Sequence, residues 1–215
     1  MTVSDEGTAA AVEVEPAAAV QLFGDRIDLA RRFTAALAAE GEERGLIGPL
    51  ELPRLWTRHI LNSAIGAPLF SGRVADVGSG AGLPGLVLAI ARPEVEFTLI
   101  EPMERRVAWL TEQTEVLGLS NVTIFRGRGE EFGDDGTFDA VTARAVSALR
   151  TLIPFTAPLV RDGGELILFK GTSAPNEIAA AEKPIRKFKL SDVRVEVLGE
   201  GVLSETTRVV RATVR

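Results

Sequence analysis

The chain has 215 residues, 46% of them hydrophobic and 25% charged, enough to bury a core without disulfide or metal support. With no cysteine it excludes disulfides, thiolate nucleophiles, iron–sulfur clusters and zinc fingers, and its one histidine, His59, excludes any metal or catalytic site that needs two imidazoles. The net charge of −6 speaks against a polyanionic partner, yet Asp5, Glu6, Glu13 and Glu15 crowd into the first twenty residues and the remainder is close to neutral.

In chain order, residues 1–19 are rich in alanine and glutamate and are expected to be a disordered tail. They carry acids where a secretory leader carries bases, and no apolar run approaches the roughly 20 residues of a membrane helix, so a cytoplasmic protein without a membrane partner is expected. Phe23, Ile27, Ala30, Phe33 and Leu37 recur at helical spacing until Gly41 and Gly45. A second helix is expected over Glu51 to Ala64, with Leu52, Trp56 and Ile60 on one face. Together, residues 20–71 form a helical cap ahead of a second domain, residues 72–215.

From Arg73 onward short β runs alternate with helical stretches. The expected strands are Arg73–Val77, Glu96–Ile100, Asn121–Arg126, Phe138–Ala143 and Glu165–Lys170. The clearest helix between them carries Met103, Val107, Leu110, Thr114 and Leu117 and stops at Gly118. Strands alternating with helices imply a doubly wound, mainly parallel α/β sheet. The last two runs, Val193–Leu198 and Thr206–Thr213, have no room for a crossover helix and must form an antiparallel hairpin, giving seven strands in all.

The first strand runs into Asp76-Val77-Gly78-Ser79-Gly80-Ala81-Gly82-Leu83-Pro84-Gly85. Two patterns overlap there. Gly80, Gly82 and Gly85 spell the dinucleotide GxGxxG, while Gly78, Gly80 and Gly82 spell GxGxG with an acid two residues earlier. A dinucleotide needs free amides for its pyrophosphate. An acid at the mouth of the turn and Pro84 at the helix start disfavour a dianion and suit the positively charged ends of S-adenosylmethionine (SAM). Glu101-Pro102, about 20 residues on, places a carboxylate where either cofactor presents its ribose hydroxyls. Gly129, Glu130 and Glu131 follow the third strand, where the loop sits over the adenine.

These motifs, with FDAVTARA and LFKG following in order, resemble the glucose-inhibited division protein B family, and LPG directly after the glycine turn narrows the match. Arg58-His59-Ile60-Leu61-Asn62-Ser63 is similar to the family's RHxLDS segment, with Asn62 in place of the usual aspartate. The likeness spans about Leu22 to Gly171. It implies a Rossmann-like, SAM-dependent methyltransferase acting on N7 of guanine 527 in the decoding-region loop of 16S rRNA, free or in the small ribosomal subunit. A monomer is expected, and no metal.

Guanine N7 needs no proton removed, so no general base is expected; the chain must only place N7 in line with the methyl group. Arg144 is the expected guanine- or phosphate-positioning residue, because arginine reads the N7/O6 edge. The expected cofactor residues are Asp76, Gly78, Ser79, Gly80, Gly82, Leu83, Glu101, Pro102, Gly129, Glu130, Glu131 and Arg144. Arg58, His59, Arg126, Arg128 and Lys170 are the expected RNA contacts, with the Lys183–Lys189 run a further candidate. His59 fits equally a packed histidine, and Trp56 and Trp109 fit core packing better than base stacking. Two other readings stay open on these residues: a small-molecule methyltransferase and a non-enzymatic NAD-binding protein.

Overall fold

A computed structural model of the chain describes residues 11–133 and 136–215. Seven strands form one sheet: β1 (Arg73–Val77), β2 (Glu96–Glu101), β3 (Val122–Arg126), β4 (Phe138–Arg144), β5 (Val160–Lys170), β6 (Ser191–Leu198) and β7 (Thr207–Thr213). Their order is β3-β2-β1-β4-β5-β7-β6. The first five are parallel, and β7 inserts antiparallel between β5 and β6. The expected hairpin is therefore present, with its second strand on the inside, where Val209, Val210 and Ala212 are buried. The strand order reverses between β1 and β4, which opens a crevice at their carboxyl ends.

Strand ends follow the sequence pattern closely except in β5, which begins at Val160 rather than Glu165. Its pairing jumps from Phe138↔Val160 to Ala140↔Glu165, an irregularity around Gly163 and Gly164 that no alternation of side chains announces.

Helices cover both faces. On one lie α1 (Ala18–Phe23), α2 (Ile27–Glu40), a π-helix (Leu55–Leu61) continuing into α3 (Asn62–Ala64), α4 (Gly85–Ala91) and α5 (Glu104–Leu117). On the other lie α6 (Leu149–Thr156), α7 (Ala174–Ala180) and α8 (Glu182–Lys187). β1 shows the division residue by residue: Val74 belongs to the first apolar cluster and Ala75 to the second. The N-terminal helices have no core of their own. Phe23, Phe33, Leu37, Leu55 and Ile60 share one cluster with Leu86, Ile90, Phe97 and Trp109.

One N-terminal expectation is corrected and one is refined. Residues 1–10 of the expected tail lie outside the described residues, but the rest of it is ordered against the cap. The Glu13 amide donates to the Leu52 carbonyl, the Glu13 carboxylate accepts from the Thr57 amide and hydroxyl, and Glu15 pairs with Arg31 at 2.7 Å. Ala19, within α1, is fully buried. The helical stretch expected over Glu51 to Ala64 is present, but not with uniform α spacing: a 3-10 turn (Leu52–Arg54) leads into the π-helix (Leu55–Leu61) and then α3. The buried residues of the π-helix, Leu55 with Ile60 and Trp56 with Leu61, lie five apart, as a wider turn of i→i+5 hydrogen bonding requires. Trp56 and Trp109 are both core residues.

Candidate active site

The glycine turn leaves β1 with Gly78, Gly80 and Gly82 all at positive φ (74°, 58° and 91°), a path that side chains other than hydrogen rarely allow. The turn is braced from several sides. Trp109 Nε1–H donates to the Ala81 carbonyl at 3.0 Å, and the Ser79 hydroxyl donates to the Asp76 carbonyl at 2.8 Å. The Gly80 amide donates to Glu101 Oε2 at 2.9 Å, while Glu101 Oε1 accepts from the Met103 amide at 2.9 Å. Both Glu101 oxygens retain a further lone pair for a ribose hydroxyl.

Asp76 is not at the mouth of the turn, as the sequence suggested, but fully buried beneath it. Its Oδ2 accepts from the Gly85 amide at 3.0 Å, and its Oδ1 has no partner among the described residues. Burial pushes its pKa up to about 7, against the pull of Ser79, the Gly85 amide and Arg144. This position still decides between the two cofactor patterns. The Gly80 and Gly85 amides are already committed to carboxylates, and Pro84 has none to offer. A pyrophosphate would meet two acids and few donors. A cation above the turn would meet the negative charge it needs.

Three cavities adjoin. The first, about 530 Å³, is lined by Gly78, Ser79, Gly80, Ala81, Leu83, Glu101, Pro102, Met103, Arg106 and Arg144 from the sheet side and by Leu46, Ile47, Gly48, Glu51, Arg58 and His59 from the cap. A slot of about 210 Å³ continues from it past Gly78, Pro102 and Val146. Its walls are Val77, Ile100 and Phe155, and Gly127, Arg128, Gly129 and Glu130 close it, a narrow apolar space suited to a flat base. Gly82 and Glu131 line neither: the Glu131 carboxylate turns back to accept from the Arg128 amide at 2.9 Å.

The third cavity, about 700 Å³, shares Arg58, His59, Arg144 and Ala145 with the first. Its far wall comes from Asn62, the end of β5 and the segment Glu205–Arg208 entering β7. Arg144 thus stands in the partition between the two. Its Nη2 donates to His59 Nδ1 at 3.1 Å and its Nη1 to the Arg58 carbonyl at 3.3 Å. Burial brings its pKa down to about 10, so it remains a cation at neutral pH. Burial first, then Arg144, holds His59 below the ordinary imidazole value.

The other expected RNA contacts are placed differently. Lys170 lines the third cavity, donating to the Ser147 carbonyl at 2.5 Å and pairing with Glu177 at 3.0 Å. Arg126 is exposed beside β2 and pairs with Glu104 at 2.9 Å; Arg128 lies at the base slot. Neither lines the third cavity. The Lys183–Lys189 run belongs to α8 and the turn after it, also away from that cavity. Sequence reasoning missed Glu51, Arg106, Val146 and the Glu205–Arg208 segment. Only Arg106, one turn into α5 from Glu101, had a local signal.

A sheet of this order with a braced glycine turn, a carboxylate ending β2 and a narrow apolar slot beside it defines the class: a Rossmann-like, SAM-dependent methyltransferase. Solved structures agree on the fold. The tRNA (m1A58) methyltransferase TrmI from Aquifex aeolicus superposes with a TM-score of 0.53 at 16% identity over 66% of this chain and 62% of that one. M. jannaschii TYW2 in complex with AdoMet gives 0.55 at 17% identity over 74% and 76%. The family model described as GidB, rRNA small subunit methyltransferase G, matches residues 26–207, and the chain belongs to that family. It is 69% identical to ribosomal RNA small subunit methyltransferase G of Leifsonia xyli subsp. xyli, over 95% of this chain and 98% of that protein. Against the protein of the same name from Clavibacter michiganensis subsp. michiganensis it is 62% identical over 94% and 97%.

Proposed function

We propose that the chain transfers a methyl group from SAM to N7 of a guanine in the decoding-region loop of small-subunit rRNA. Membership of the family supports the reaction class and the kind of nucleic acid. The observation that carries the atomic reading is Arg144 in the partition between the cofactor-sized cavity and the cavity beyond it.

When bound, SAM supplies a methyl group on a positively charged sulfur. The chain's own residues fit that donor. Asp76 provides negative charge under the turn, Glu101 has lone pairs free for the ribose, and the slot between Val77, Ile100 and Phe155 matches the adenine. On the acceptor side Arg144 spends two of its five N–H groups on His59 and Arg58 and keeps the rest for a guanine O6 or a phosphate. His59 cannot serve as a base, because its Nδ1 lone pair is committed to Arg144. A site arranged this way suits an acceptor atom that already carries a free lone pair, as guanine N7 does.

The test is methylation of small ribosomal subunits, or of their free rRNA, from a strain lacking this activity, with N7-methylguanine mapped by chain cleavage and primer extension. One modified guanine is expected; transfer elsewhere or to a small molecule only would reject the reading. Arg144→Ala is expected to lower turnover roughly hundredfold while leaving SAM affinity within a fewfold. Unchanged turnover would remove Arg144 from the site.

A further inference from the structure

Arg144 is long and flexible, so something must hold its guanidinium in the partition. A guanidinium has donors and no acceptor, so the 3.1 Å contact with His59 Nδ1 requires that this nitrogen be unprotonated. The imidazole proton then sits on Nε2, which faces Glu51 Oε2 at 2.6 Å. Glu51 itself is fixed at the mouth of the cap. Its amide donates to the Gly48 carbonyl, its carbonyl accepts from the Arg54 amide, and its carboxylate lies 3.6 Å from Arg58 Nε. The wide turn of the π-helix carries Arg58 and His59 toward Arg144 while Leu55, Trp56, Ile60 and Leu61 stay in the core.

We infer that Glu51 is a positioning residue for methyl transfer: it fixes His59 as the Nε2–H tautomer, which presents the Nδ1 lone pair that orients Arg144 toward the acceptor. This rests on the proposed function for its effect on turnover, though not for its effect on the histidine. The charged groups facing the imidazole are Glu51, Arg144 and Arg54, with Arg58 alongside and Asp76 behind Arg144. Without the Glu51 acceptor, Nε2–H loses its partner and the other tautomer, which would turn an N–H against Arg144, becomes competitive.

Because the chain has one histidine, 15N-histidine NMR reports this residue alone. Glu51→Ala and Glu51→Gln both remove the charge, but only glutamine keeps an oxygen for Nε2–H. The wild type and Glu51→Gln are expected to show the Nε2–H tautomer and turnover within about threefold of each other. Glu51→Ala is expected to show mixed tautomers and roughly ten- to hundredfold lower turnover at saturating SAM, with SAM affinity within a fewfold. His59→Asn, whose side-chain oxygen can replace Nδ1, should make turnover insensitive to the residue at 51. An Nδ1–H wild type, an unchanged tautomer in Glu51→Ala, or equal losses in the alanine and glutamine variants would each overturn the inference. A wild type that methylates no small-subunit rRNA, with the tautomer shift intact, would instead reject the functional reading.

Discussion

Asp76 is a carboxyl group whose charge depends on what sits above it. Raised to about 7 in the fold from the 3.8 of a free side chain, it favours the folded state fully below about pH 4, and that contribution is lost as pH rises through 7. Asp76→Asn should remove that decline, up to about 4 kcal/mol between those limits, which thermal unfolding across pH 4–8 will read. Glu15, Asp139 and Glu177 are held below their ordinary values and slope the other way, so the difference between variant and wild type is the informative quantity. A cationic ligand stabilises the ionised form, so SAM affinity should strengthen as pH rises through 7 in the wild type. Calorimetry at pH 6 and 8 should find it weaker and pH-independent in Asp76→Asn. Equal affinities in both proteins would show that the buried charge does not reach the ligand.

At the scale of elements, the glycine motif serves packing as much as binding. Gly85 opens α4 against β1 and β2, and a Cβ there would meet Leu99 Cδ2 at 2.4 Å and Asp76 Oδ2 at 2.5 Å. Gly85→Ala should therefore cost about 1–3 kcal/mol through overpacking. That lowers the melting temperature by several degrees and, by displacing Asp76, weakens SAM binding as well. A melting temperature within a degree of wild type would mean that the helix can back away freely. The π-helix makes the opposite point. Its apolar residues at 52, 56 and 60 suggested an α-helical face, yet Leu52 is only half-buried, and Leu55 and Leu61 take up the burial. An interval of four fits the one helix and an interval of five the other, and a short segment holding both cannot say which will win. Packing against α1 and α2, with Glu13 accepting from the Thr57 amide, settles it.

At the scale of the molecule, the cap and the sheet share one apolar cluster. Phe33 and Leu37 lie in the same cluster as Leu86, Leu88 and Trp109, so removing the N-terminal helices would expose that cluster to water. Residues 72–215 expressed alone should therefore lack a cooperative thermal transition; a sharp transition would show that the sheet is self-sufficient. The cap also completes the site. Leu46, Ile47, Gly48, Glu51, Arg58 and His59 face the glycine turn across a cavity whose other walls lie some 20 to 100 residues later in the chain.

Local patterns were enough for the strands apart from the start of β5, for a mainly parallel doubly wound sheet, and for the terminal hairpin, the glycine turn and the acid at Glu101. Each is written in local periodicity or in backbone freedom that only certain residues have. The reach of the sequence stopped where a side chain's meaning depends on partners distant in the chain. Asp76 became a buried acid because α4 closes over it. Lys170 became half of an ion pair because Glu177 lies beside it. Arg144, His59 and Glu51 became a connected row because the tertiary structure brings β4 to the π-helix. Hydrogen bonds and desolvation act over a few ångströms of space, without regard to separation along the chain, so only the folded structure could assign those roles.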